Sequence, residues 1–253
     1  MPVTPENHLG VPLSLISWDQ FDAWVTKTVG TRAPATVCTV APYQAYLARR
    51  NAAYRSCLEG ASVALVDGNG VRLALAAAGL GVDDRITGRE VVERLYRGQL
   101  LPESRVAVIG SLPDAQQAVA RERVDWLILG QQFEPVPDPE SVARVAEDLR
   151  NGQVVLALVA LGCPKGEQWA DALCREYGCL YISVGGAVDT ASGIRRKPPA
   201  WVTRTGMEWA WRAAQDPRLL PHVTRAALAM PVLLCRALLY RFTKAKRGPT
   251  DSG

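Results

Sequence analysis

The sequence predicts an α/β fold: a doubly wound, mostly parallel Rossmann-like sheet followed by a helical, basic carboxy-terminal appendage. Three observations predict it. Short, near-continuous apolar runs recur along the chain, as parallel strands covered on both faces require. Longer helical patterns separate them, so strand and helix alternate. After about Gly193 the alternation stops and the charge balance reverses.

The strand candidates are Ala35–Val40, Val63–Val66, Arg105–Ile109, Trp126–Leu129, Val154–Ala160 and Leu180–Val184. Helical stretches lie between and after them at Pro42–Glu59, Asn69–Ala78, Gly88–Leu100, Pro113–Arg123, Pro139–Asn151 and Lys165–Tyr177. Pro113-Asp114 and Pro139-Glu140 each place proline and an acid in a first helical turn, where the fixed φ and the helix dipole favour them. Beyond Pro198-Pro199 no strand is expected, only helices over about Ala200–Gln215 and Pro217–Thr243. The expected division is an α/β catalytic domain over 1–193, a helical appendage over 194–247 and a disordered tail at 248–253. Disorder is expected to begin near Lys244.

The chain has 253 residues, 48% of them hydrophobic and 21% charged, enough apolar material for a large core. Its net charge of +4 hides a split. Residues 1–193 carry 17 Lys and Arg against 22 Asp and Glu, and residues 194–253 carry 12 against 3. Excess positive charge at one end implies an anionic partner there: phosphate, membrane surface or nucleic acid. The segment Leu219–Phe242 interleaves Arg225, Arg236 and Arg241 with Leu, Val and Met rather than with base-stacking aromatics, which excludes nucleic acid. It reads as too charged to span a bilayer and apolar enough to lie in its interface. The competing reading is a terminal helix packed on the domain's own core. The amino terminus lacks the pattern of a secretory signal. Six scattered cysteines and two histidines point to reduced thiols and no zinc site.

Ligands of open α/β sheets sit beyond the carboxyl ends of the strands. The residues expected there are Ala41-Pro42, Asp67-Gly68-Asn69-Gly70, Gly110-Ser111, Leu161 to Glu167, and Gly185-Gly186-Ala187-Val188-Asp189. Asp67 ends an apolar strand and precedes a glycine turn, so it either serves as a general base at the rim or accepts backbone N–H bonds in an Asp-Gly turn. Gly185-Gly186 lets a phosphate approach the backbone closely. No GxGxxG fingerprint, P-loop or G-x-S-x-G elbow occurs, which argues against a dinucleotide oxidoreductase, a P-loop NTPase and a serine hydrolase. No D-x-D pair is present, so no metal is expected, and the charge of a nucleotide diphosphate would fall to Lys165, Arg195, Arg196, Lys197 and backbone N–H groups.

Taken in order, Thr39 with Tyr43–Arg50, Asp67-Gly68-Asn69-Gly70, Arg85-Ile86-Thr87-Gly88, Val108-Ile109-Gly110, Pro164-Lys165-Gly166-Glu167-Gln168-Trp169, Val184 to Asp189, and Gly206-Met207-Glu208-Trp209 with Arg212 resemble the WecG/TagA/CpsF glycosyltransferases. The resemblance runs from about Gly10 to Arg225. It implies an inverting, metal- and cofactor-independent transfer of a sugar from a UDP-sugar (N-acetylmannosamine, its uronic acid or glucose) to a polyprenyl-diphosphate-linked acceptor. It implies Asp67 as general base with Thr39 beside it. Gly68, Gly70, Arg85, Gly110, Lys165, Glu167, Gly185, Gly186 and Asp189 fall on the donor side. Arg195, Arg196, Lys197, Arg212, Arg218 and Arg225 fall on the acceptor diphosphate. It further implies a cytoplasmic enzyme, peripheral on the inner face of the cell membrane, with homo-oligomers allowed. The chain departs from the family's T-x-N at Ala41, from P-K-Q-E at Gly166, from R-A-P at Lys197-Pro198-Pro199 and from E-P-x-R at Leu219. Such departures shift specificity, and they leave a second reading, an impaired membrane-associated scaffold of the same pathway.

Overall fold

The computed structural model describes residues 4–82, 84–199, 201–202 and 208–246. A small antiparallel hairpin, β1 (Glu6–His8) and β2 (Val11–Leu13), leads into helix α1 (Trp18–Thr31). The main sheet has six strands: β3 (Ala35–Val40), β4 (Val63–Val66), β5 (Val106–Gly110), β6 (Leu127–Leu129), β7 (Leu156–Ala160) and β8 (Leu180–Ser183). They lie in the order β4-β3-β8-β7-β5-β6, and every pairing is parallel. The doubly wound expectation therefore holds, with the main sheet wholly rather than mostly parallel.

Alternating residues of each strand enter opposite layers, the period-two geometry of a pleated strand. Val37, Leu65, Val108, Leu158 and Ile182 pack with Phe21 and Val25 of α1 and with Val91, Val92 and Leu95 of α5 (Gly88–Tyr96). Also on that face are α6 (Pro113–Glu122) and α9 (Ala187–Ala191). The other face is covered by α2 (Pro42–Ala48), α3 (Ala52–Glu59), α4 (Asn69–Ala77), α7 (Pro139–Asn151) and α8 (Lys165–Glu176).

Several expectations need correction. The stretch Pro42–Glu59 is two helices, because the Asn51 side chain accepts from the Tyr54 N–H and restarts the helix as its N-cap. The hairpin and α1 were not anticipated, although Ser17 and Gln20 form a reciprocal capping box at the start of α1. The carboxy-terminal helix continues to Lys246, beyond the expected onset of disorder at Lys244. The tail at 248–253 and the landmark Gly206-Met207 lie outside the described residues.

The appendage comprises α10 (Glu208–Gln215), a 3₁₀ turn at Pro217–Leu219 and the long α11 (Leu220–Lys246), which contains Pro231. Ala229, Leu233 and Ala237 of α11 are buried. The helix docks on α2 and α4, and Leu233 and Ala237 join the core beneath them. A Cβ at Gly70 would stand 2.6 Å from Pro42 Cγ and 2.7 Å from Met230 Sδ, so glycine permits the close approach of α4, α2 and α11. Arg236 Nη1 donates to the Leu9 carbonyl at 3.0 Å and ties α11 to the hairpin. Leu228, Leu238, Leu239 and Phe242 remain exposed on α11. Contrary to expectation, Pro217–Thr243 is long and apolar enough to cross a membrane by length and composition. The core-packing reading holds for one side of this helix, and apolar side chains on the other side remain in solvent.

Candidate active site

The strand order brings the predicted rim residues to one edge of the sheet, in the spatial sequence Asp67, Thr39-Val40-Ala41, Val184-Gly185-Gly186, Leu161 to Lys165, Gly110-Ser111. From β5 the chain moves outward to β6, then returns to β7 and β8. That reversal between β5 and β7 opens a crevice at the strand ends.

A cavity of about 520 Å³ occupies it. Of the predicted residues, Gly110, Lys165, Gly186, Asp189 and Arg195 line it. Sequence reasoning missed Ser111's neighbour Leu112, and Gln116, Gln131, Gln132 and Phe133; Leu219, named there only as a departure from E-P-x-R, also lines it. The rule that found the other rim residues would have reached Gly130-Gln131-Gln132, which directly follow β6. Leu219 lies outside that rule, because it comes from the appendage.

The cavity walls are held by polar contacts. Lys165 Nζ donates to the Phe133 carbonyl at 2.6 Å, and Trp169 Nε1 donates to the Glu134 carbonyl at 2.9 Å, pinning the loop after β6. Gln116 Nε2 donates to the carbonyls of Gly110 and Ser111, both at 3.0 Å. Ser111 has φ +81°, a strained non-glycine geometry of the kind that collects at sites. Asp189, 4% exposed, accepts from the Ser111 hydroxyl at 2.6 Å and the Leu112 N–H at 3.1 Å. Lys165 has no carboxylate partner among the described residues.

At the other end of the rim, the Asp67 N–H donates to the Val40 carbonyl at 3.0 Å, which places its half-buried side chain at the end of β4. Gly68 turns the chain at φ +92° against Ala41 and Pro42. Thr39 is buried, its hydroxyl donating to the Ser183 carbonyl at 3.4 Å and its methyl lying near Gly88.

Other predicted residues are placed elsewhere. Arg85 pairs with Glu208 of α10 at 3.3 Å, with both side chains largely buried, so it anchors the appendage. Lys197 pairs with Glu93 of α5 at 2.9 Å. Arg196 is exposed, and its carbonyl accepts from Trp211 and Gln215 of α10. Arg225 reaches the Tyr43 hydroxyl, while His222 packs edge-on against the Tyr43 ring at 4.6 Å. Arg218 is exposed on the 3₁₀ turn, and the Arg212 side chain lies outside what is described. Of the six cations assigned to one diphosphate, Arg195 lies at the cavity, Lys197 on the α5 side and Arg225 against α2, while Arg196 and Arg218 are exposed.

Glu167 does not line the cavity. It is buried behind the rim, 4% exposed, beside Tyr54, Cys163 and Cys38. Its Oε2 and the Tyr54 hydroxyl each lack a close hydrogen-bond partner among the described residues. Burial pushes its carboxyl from the ordinary 4.5 up to about 7, with Tyr54 and Cys163 only partly opposing the shift. The folded state therefore favours the protonated acid. Its stability contribution is complete below pH 4.5 and is lost as pH rises through 7. Glu167→Gln, permanently neutral and of the same shape, is expected to raise the melting temperature above pH 7 and leave it unchanged near pH 4. Melting curves across that range check it, and equal curves at pH 8 would place the carboxylate in a satisfied site.

The model of the glycosyl transferase WecG/TagA/CpsF family matches residues 6–247. The N-acetylglucosaminyldiphosphoundecaprenol N-acetyl-beta-D-mannosaminyltransferase of Bacillus subtilis (strain 168) is 26% identical over 192 residues, covering 72% of each chain. The match extends from the first hairpin through the sheet and into the last turn of α11, so the chain belongs to the WecG/TagA/CpsF glycosyltransferase family and is a glycosyltransferase.

Proposed function

We propose that the protein transfers a sugar, N-acetylmannosamine first among the candidates, from its UDP donor to a sugar carried on undecaprenyl diphosphate. The carrying observation is the arrangement of the rim. A cavity bearing Lys165 and Arg195 lies at one end, and Asp67 stands two strands from Gly186 at the other. With strands about 4.8 Å apart, that is roughly 10 Å, a gap that a diphosphate and one sugar ring bridge. The nucleotide occupies the cavity and the anomeric carbon points towards Asp67. Asp67 takes the proton of the acceptor hydroxyl, which attacks that carbon as UDP leaves. A single displacement inverts the anomeric centre. The leaving charge is met by Lys165, Arg195 and backbone N–H groups near Gly186, so the reaction runs without a metal.

Arg225 at Tyr43, with Arg218 nearby in the chain, supports contact with the acceptor's diphosphate from the appendage side. The exposed apolar side chains of α11 support attachment to the inner face of the cell membrane. The decisive experiment offers a panel of UDP-sugars with short-chain lipid-diphosphate acceptors and follows release of UDP. UDP-N-acetylmannosamine is expected to turn over with an N-acetylglucosaminyl-diphosphate lipid, at a rate unchanged by EDTA and with an inverted product anomer. No acceptor-dependent UDP release from any donor would refute the proposal.

A further inference from the structure

The sequence places Arg195 among the cations available to a nucleotide diphosphate, and the resemblance places it on the acceptor; it lines the cavity and is held there by carboxylates from two parts of the chain. Nε lies 3.4 Å from Asp189 Oδ2, in the body of the domain. Nη2 lies 3.4 Å from Asp216 Oδ2, at the junction of α10 and the 3₁₀ turn. The third nitrogen, Nη1, has no partner among the described residues, and it stands 3.8 Å from where a Cβ on Gly186 would be. Two edges of the planar fork are thus fixed, and the remaining nitrogen is turned towards the glycine turn that lines the same cavity.

Asp189 cannot easily move to follow another partner, because its Oδ1 already accepts from Ser111 and Leu112. Asp216 is likewise fixed, its Oδ1 accepting from the Arg218 N–H at 3.1 Å. Both ion pairs are longer than the 2.7–2.9 Å typical of tight charge-assisted bonds, so they orient the guanidinium without exhausting its capacity to bind an anion.

We propose that Arg195 is a donor-diphosphate ligand acting through Nη1, and that Asp216 is its positioning residue, so that the appendage completes the nucleotide site from a distance. The proposal rests on the reading of the cavity as the UDP site. A fork oriented by two carboxylates is a task for arginine and not for lysine, whose ammonium is a single point charge. Leu219, three residues beyond Asp216, lines the same cavity, so one short turn supplies both a wall and a brace.

The test measures binding of UDP and of uridine to the full chain by calorimetry, with wild type, Arg195→Gln, Arg195→Lys, Asp216→Asn and the Arg195→Gln/Asp216→Asn double variant. Arg195→Gln is expected to weaken UDP binding about 10- to 100-fold, the range for a hydrogen bond to a charged group, and to leave uridine binding unchanged. Arg195→Lys is expected to fall between. Asp216→Asn keeps an oxygen for the Arg218 N–H but loses the charge. It is expected to weaken UDP binding several-fold with uridine binding unchanged, to lower kcat in the UDP-release assay because Arg195 also meets the leaving charge, and to have no further effect in the Arg195→Gln background. Wild type that binds UDP while Arg195→Gln binds it equally would overturn this inference alone, as would additive losses in the double variant. Wild type that fails to bind UDP would overturn the donor reading and this inference with it. Uridine binding and melting temperature report whether each variant is folded, and the lysine variant carries the test if the glutamine variant is not.

Discussion

Replacing Asp67 with asparagine is expected to lower turnover by about 10²- to 10⁴-fold while leaving UDP affinity near wild type. The substitution preserves size and one oxygen, and the backbone N–H of residue 67 still bonds the Val40 carbonyl. Gly68 and Gly70 keep their close approach to Ala41, Pro42 and Met230. What is lost is basicity at the end of β4, two strands from Gly186. A side chain that only shaped the Asp-Gly turn would tolerate the change. The loss should therefore appear in kcat, with the donor KM little affected, because proton removal occurs in the transition state. Single-turnover UDP release measures it, and near-normal turnover by Asp67→Asn would remove Asp67 from the role of base.

The second large effect concerns α11. The fourfold variant Leu228→Glu, Leu238→Glu, Leu239→Glu and Phe242→Glu is expected to abolish co-sedimentation with anionic liposomes and to leave the fold intact. All four side chains are exposed, whereas Ala229, Leu233 and Ala237 carry the docking on α2 and α4. Full burial of such a side chain contributes about 1.5–3 kcal/mol. Even partial insertion of four therefore implies a loss of about 100-fold or more in binding. Truncation after Arg225 is the poorer experiment, since it would strip the buried face of α11 from the core and remove the Arg236 bond to Leu9. Liposome binding by the fourfold variant at wild-type strength would place the membrane contact elsewhere.

The main sheet and most of its helices were legible because the sequence signals are local. Buried parallel strands such as Val63–Val66 and Leu156–Ala160 must be apolar throughout, and helices such as α7 carry their own caps in Asp138 and Pro139. The break at Asn51 was less legible, because one capping side chain there competes with a long helical pattern. The glycine-rich rim was found by the same logic, since strand ends in an open α/β sheet face the ligand.

The roles of charged side chains were another matter. Arg85 reads as a donor-side residue and Arg195, Lys197 and Arg225 as phosphate ligands, and a sequence records charge without recording its partner. The fold sends Arg85 to Glu208, Lys197 to Glu93 and Arg225 to Tyr43, and leaves Arg195 in the cavity between Asp189 and Asp216.

The carboxy-terminal helix shows the same division. Its apolar and basic composition was determined by the sequence alone. Which of its apolar residues belong to the core was decided only by tertiary contact. A helix of this length presents apolar positions on more than one side, and the docking of α2 and α4 selects the side that is buried.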